Sequence, residues 1–172
     1  MISTEFLKRD FGIENPPPDE LMQSAFRFMM AFFYCEERLF GRKCGFWRSD
    51  RYARQIHARM AKDSVDIDPY YSYFKNRYIT GDSADSRILA LVPTDARDHD
   101  DAINKLNDIF SVNDDSYDRK LEAVICVTIR LRNNLFHANK YNAINNDPAG
   151  QEELLRLAAD FYAEILVRTK LK

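Results

Sequence analysis

Three residues in this chain have the types and spacing for proton transfer at a phosphate. They are Arg132, Asn133 and His137, inside the stretch Arg130-Leu-Arg-Asn-Asn-Leu-Phe-His-Ala-Asn-Lys140. Histidine has the unperturbed side-chain pKa nearest neutrality, so it can take and return a proton at physiological pH. General acid–base help of that kind is worth about 10²–10⁴ in rate. Arginine supplies a permanently charged, forked donor for phosphate oxygens. RNA cleavage suits the pair, because the 2′-hydroxyl is a built-in nucleophile and the protein need only move protons and stabilise charge on phosphorus-bound oxygens. The chemistry requires no metal, and the sequence offers no convincing metal site and no cofactor motif.

The stretch follows a strongly apolar segment, Leu121 to Ile129, where charge is costly and needs a partner or a function. Asn133 and His137 are four apart, so on a continuing helix they share a face and the amide can orient the imidazole. Arg132 and His137 are five apart, about 140° around a helix of 3.6 residues per turn. On one straight helix they converge poorly. They meet if the helix unwinds near His137 or if two copies face each other, which favours a composite site. The plainer reading is a histidine that caps a helix or bonds within a core beside an arginine.

Arg132-Asn133-Asn134-Leu135-Phe136-His137 resembles the signature of the HEPN superfamily, including the Asn directly after the Arg. The clear match covers about a dozen residues, and the helical pattern accompanies it over roughly residues 20 to 170. The resemblance implies an all-helical, homodimeric, metal-independent ribonuclease, of the kind found among toxins, anti-phage effectors and nuclease halves of CRISPR-associated enzymes. It implies His137 as general acid/base, Arg132 on the scissile phosphate and Asn133 orienting them, with both copies' motifs at one cleft. The implied products carry a 2′,3′-cyclic phosphate and a 5′-hydroxyl. HEPN toxins paired with a nucleotidyltransferase antitoxin often carry a Tyr two residues after the His. Here that position is Asn139 and the nearest tyrosine is Tyr141, the candidate modified residue for a cognate antitoxin or other regulatory protein. Some HEPN domains are inactive scaffolds, so a non-catalytic nucleotide- or protein-binding module is the alternative.

The elements around the motif read as an all-α bundle of five or six helices. Residues 1–18 read as a loose lead-in ended by Pro16-Pro17-Pro18, and 19–172 as one helical domain. Asp19 to about Phe40 is helical and apolar on nearly all sides, which places it inside a bundle or at an oligomer interface. Ser49 reads as the cap of a helix to about Lys62, with Tyr52, Ala53, Ile56 and Met60 inward and Arg51, Arg54 and Arg59 outward. Asp68-Pro69 starts an aromatic helix carrying Tyr70, Tyr71, Tyr73, Phe74 and Tyr78, read as bundle packing. Ile88 to Val92 is apolar without an assignable element. A helix follows over Asp98 to Phe110, then the motif helix, capped by Ser116 or Asp118 and running to about His137. Asp147-Pro148 opens the last helix.

The charge balance of −2 gives no bulk attraction to nucleic acid or membrane, so RNA binding must come from a local patch. Between Arg38 and Arg59 there are seven basic residues and one acid, Asp50, interleaved with Phe40, Phe46, Trp47 and Tyr52. That segment is a candidate RNA track, charge on phosphates and rings on bases, against the plainer reading of a solvated helix face whose rings finish the core. Arg48, Arg51 and Arg54 there, with Arg130 and Lys140 flanking the motif, are the candidate RNA-binding residues. The acidic stretch Asp95-Ala-Arg-Asp-His99-Asp-Asp101 contains a His-Asp pair suggestive of a metal phosphohydrolase, but that chemistry needs more histidines than His57 and His137 add. Helix-start aspartates explain it better. Three cysteines without a CxxC pair fit a reducing compartment, and no signal peptide or spanning run is visible. The expected location is cytoplasmic, with no membrane partner.

Overall fold

The computed structural model describes residues 4–41, 44–60, 64–92, 97–111, 115–135 and 146–169. Among them are eight α-helices and no strand: α1 Thr4–Phe11, α2 Asp19–Arg38, α3 Ser49–Met60, α4 Asp68–Lys75, α5 Ala84–Leu91, α6 His99–Ser111, α7 Tyr117–Leu135 and α8 Pro148–Arg168. The all-helical expectation is met; the count of five or six is too low. A 3₁₀ turn at Phe46–Arg48 leads into α3, and a π-helical turn at Asn76–Thr80 extends α4.

The organising element is α7. Every residue from Leu121 to Leu131 is buried, including Glu122, Thr128 and Arg130. Its apolar run of β-branched and aliphatic residues therefore has no solvent face, and α3, α4, α5 and α6 all pack against it. The most extensive helix pairing is α2 with α8, elements far apart in the chain. Phe28 and Phe32 of α2 meet Tyr162 of α8, the Phe32 and Tyr162 ring centroids 5.1 Å apart in an edge arrangement that suits the ring quadrupoles. Tyr162 also ties α8 to α7: its hydroxyl is 2.7 Å from Thr128 Oγ1, which bonds back to the carbonyls of Val124 and Ile125.

Local signals explain most boundaries. Pro148 in the first turn of α8 follows Asp147, whose carboxylate accepts from the Gly150 N–H at 3.0 Å, a proline start joined to a side-chain cap. Ser116 Oγ accepts from the Arg119 N–H at 3.4 Å at the start of α7, whereas Asp118 turns to His57, Oδ1 to Nδ1 2.6 Å. Gly41 reverses the chain after α2 at a φ of 69°, a conformation L side chains rarely adopt.

Three expectations need correction. The lead-in contains α1, which buries no residue and is pinned by Thr4, whose backbone N–H and hydroxyl both meet the Asp19 carboxylate. Ile88 to Val92 belongs largely to α5; so short a helix leaves too few turns for its periodicity to show. Ser49 begins α3 as expected, but its hydroxyl turns into the core and not onto the helix's own N–H groups. It is fully buried, its hydroxyl donating to Glu122 Oε1 at 3.1 Å and receiving the Cys126 thiol at 3.0 Å. Lys105 also reaches the Glu122 carboxylate, at 3.4 Å, and Arg119 does so at 3.3 Å. The two cations compensate that buried charge.

The apolar residues of α2, expected inside a bundle or at an oligomer interface, divide between two faces. Leu21, Phe28, Phe32 and Cys35 face the core, while Phe26, Met30, Phe33 and Tyr34 stay exposed. Those four fall at i, i+4, i+7 and i+8, which puts them together on the opposite side. The aromatic helix α4 packs as expected, with Tyr70, Phe74 and Tyr78 buried.

Candidate active site at the end of the central helix

The last turns of α7 distribute their polar side chains to two sides of the bundle. Arg130 and Asn134, four apart, share one face. Arg130 is 9% exposed; its Nη2 donates to Asp98 at 2.6 Å and Nη1 at 3.4 Å, and its guanidinium lies 4.2 Å from the centre of the Phe46 ring. The hydrogen bond from Arg130 is the main reason that the Asp98 carboxyl titrates below its usual range, and the Trp47 indole adds another, since donors to the charged form favour it. Asn134 donates to the Leu91 carbonyl at 2.7 Å and to that of Ala90 at 3.3 Å. It thereby satisfies carbonyls that the end of α5 leaves open.

Two positions on from Arg130, about 200° around the helix, Arg132 points toward α2. Its Nη2 donates to Glu36 Oε1 at 3.0 Å, and the guanidinium stands 5.0 Å from the Phe32 ring centre. The side chains of Arg132 and Glu36 are 28% and 25% exposed, so the pair is half-sheltered at the surface end of the helix. Arg132 Nε is buried without a hydrogen-bond partner, and Nη1 makes none among the described residues. Asn133, beside it, is half-buried and its side chain bonds to no other described residue.

A short segment joins the two sides. Glu36 Oε1 also accepts the Cys44 backbone N–H at 3.1 Å; the Gly45 N–H donates to the Tyr52 hydroxyl at 3.2 Å; and Phe46 then reaches the Arg130 guanidinium. Residues 44–48 thus cross the end of α7 like a strap, with Arg132 under one end and Arg130 under the other. Burial, reinforced by Glu36 and offset by Arg132, pushes the Cys44 thiol up to about 12. It is therefore a neutral packing group and not a nucleophile.

The candidate residues fall into groups. Arg132 and Asn133 stand together. Arg130, a candidate RNA contact by sequence, is committed to Asp98 and Phe46 inside the fold. Arg48, Arg51 and Arg54 are all exposed on the strap and α3, and Arg54 pairs with Asp50 at 2.7 Å. Of the four rings interleaved with that basic segment, Phe40, Phe46 and Tyr52 are buried and serve the core, leaving Trp47 in solvent. His137, Lys140 and Tyr141 lie outside the described residues, as does the stretch 136–137, the expected end of the motif helix. In the acidic stretch, His99 Nδ1 lies 3.0 Å from the Val92 carbonyl and Asp98 is taken by Arg130; among the described residues no cluster of three His, Cys, Asp or Glu side chains is placed to hold a metal. No described helix is long and apolar enough to cross a membrane.

Sequence reading passed over Glu36, Asp98 and the structural role of Asn134. Glu36 did carry a signal: it continues the buried series Phe28, Phe32 at i+4, where a carboxylate needs a cation. Asp98 carried none, being one of eight aspartates in a short stretch without a pattern to choose among them.

Comparison with protein-family models, with curated proteins and with solved structures finds no match to this chain.

Proposed function

We propose that this chain is a metal-independent endoribonuclease acting as a homodimer, a toxin or anti-phage effector in type. The RNA 2′-hydroxyl attacks the adjacent phosphorus, and the bond to the 5′-oxygen breaks. His137 takes the 2′-proton and, as general acid/base, passes it on to the departing 5′-oxygen, and the products are a 2′,3′-cyclic phosphate and a 5′-hydroxyl. Arg132 binds the phosphate oxygens and Asn133 orients the imidazole.

The observation that carries the reading is the state of Arg132. It is held from one side by Glu36 over the Phe32 ring, while Nη1 is left without a partner among the described residues at a half-exposed position. A guanidinium fixed in orientation with donors to spare is what a phosphate contact requires. The exposed stripe Phe26, Met30, Phe33 and Tyr34 lies on α2, the helix that carries Glu36. An apolar stripe of that kind supports a second copy docking beside this site.

The test is incubation of purified protein with a mixed RNA pool in EDTA, comparing wild type with His137→Ala and Arg132→Lys. Cleavage to cyclic-phosphate ends by wild type, lost in His137→Ala and reduced in Arg132→Lys, is the expected result. Equal cutting by His137→Ala overturns it.

The Glu36 pair favours one second reading, a non-catalytic module. It neutralises much of the Arg132 charge, as a purely structural ion pair does. In that case Arg132 replacement changes dimerisation or partner binding, and no RNA product exists to lose.

A further inference from the structure

Trp47 is the sole tryptophan of the chain, and half of it is exposed, at 51%. It is nonetheless held in place. The Phe46 ring meets it edge-on at 5.1 Å, and Lys105 Nζ lies 5.7 Å from its centre. An exposed ring with fixed orientation loses little conformational freedom when a flat ligand covers it.

Two cations close to it in the chain are unpaired. Arg48, the next residue, and Arg51, one turn on, are exposed and make no ion pair among the described residues. The acids nearby are already engaged: Asp50 with Arg54 and Asp98 with Arg130. A Trp–Arg anchor for a protein partner sits within a ring of apolar contacts that excludes water. Here the exposed neighbours are the guanidinia of Arg48 and Arg51, which are wet and cationic. The matching ligand carries a flat π-face and repeated negative charge on one flexible chain. Single-stranded nucleic acid has both, and a duplex hides its base faces.

We propose that Trp47, Arg48 and Arg51 form a single-strand binding subsite, in which one unpaired base stacks on the indole and the adjoining phosphates take the two guanidinia. This deepens the ribonuclease reading and rests on it for the choice of RNA over DNA. Residues 44–48 lie over Arg132 at one end, so a strand bound at Trp47 is delivered to the end of α7.

The lone tryptophan makes the test direct. The probe is a 2′-O-methyl oligoadenylate of about ten nucleotides, within the span one such platform serves. It lacks the nucleophile, so its binding is independent of cleavage, and an inactive His137 leaves the outcome untouched. Intrinsic fluorescence should be quenched on titration with the single strand, and not by the same strand paired to its complement. By anisotropy of a labelled probe, Trp47→Ala should weaken binding about 5- to 150-fold, since one stacked base is worth about 1–3 kcal/mol. Arg48→Ala with Arg51→Ala should lower the slope of log affinity on log salt by about 1.4, at roughly 0.7 per phosphate for single strands. Circular dichroism of both variants should match wild type. No quenching, equal affinity for duplex, or displacement of the probe by polyglutamate at matched charge concentration would each overturn the subsite.

Discussion

Replacement of Arg130 by methionine separates a phosphate contact from a part of the fold. Methionine keeps the aliphatic stem that packs beneath Phe46 and removes the charge. The lost interactions are the 2.6 Å hydrogen bond to Asp98, the weaker one at 3.4 Å and the ring contact at 4.2 Å. A charge-assisted hydrogen bond contributes about 1.5–3 kcal/mol, and a sheltered cation over a ring about 0.5–2 kcal/mol. The Asp98 side chain is 34% exposed, so water takes over part of what it loses. The expected cost is about 2–4 kcal/mol, read by urea unfolding followed by circular dichroism. The pH dependence gives a second check. Arg130 holds the Asp98 carboxyl below its usual range. The pair's contribution is therefore fully present above the unfolded carboxylate pKa and is lost as pH falls through the depressed folded value. The gap between wild type and Arg130→Met should accordingly hold from neutral pH down to the unfolded carboxylate range at about 3.9 and narrow below it. A cost under about 0.5 kcal/mol, with RNA affinity falling instead, would refute the reasoning and return Arg130 to the RNA-binding surface.

Thr128→Val and Tyr162→Phe should both destabilise the bundle, the first more than the second. Both hydroxyls are buried and bonded to each other, and Thr128 also bonds back to α7 carbonyls. Valine strands the tyrosine hydroxyl at about 1–3 kcal/mol, whereas phenylalanine leaves Thr128 its backbone carbonyls and costs about 1 kcal/mol, measured by the same unfolding assay. The Cys44 thiol titrates at about 12. In the folded protein it should therefore be alkylated by iodoacetamide near pH 8 at least about tenfold more slowly than in urea. Equal rates by mass spectrometry would show that the strap does not shelter it.

Much of the bundle is legible in the sequence because it is written in periodicity and punctuation. Asp68-Pro69 and Asp147-Pro148 mark helix starts that the structure keeps, and the inward stripe Tyr52, Ala53, Ile56, Met60 of α3 is buried throughout. What periodicity does not reveal is which polar groups are interior. Ser49 looks like a cap from its neighbours in sequence, yet its partners are Glu122 and Cys126, more than seventy positions away. The basic segment likewise reads as one alternation of rings and charges, but three of its four rings turn inward, and no local rule says which. The motif arginines show the same limit. Arg130 and Arg132 are equivalent in type and two apart, and only the elements packed on either side, Asp98 with Phe46 and Glu36 with Phe32, give them different roles.

The pairing of α2 with α8 has a consequence for synthesis. The chain leaves the ribosome from its N-terminus, so α2 emerges more than a hundred residues before the helix that covers Phe28 and Phe32. Until α8 arrives, α2 is apolar on both faces at once, and Tyr162 has not yet closed over Thr128 on α7. The growing chain therefore passes through a long interval in which its stickiest helix is bare, a natural station for a chaperone. A stop codon placed before Leu154 should yield an aggregating chain rather than a smaller fold, since among the described helices only α8 packs extensively on α2.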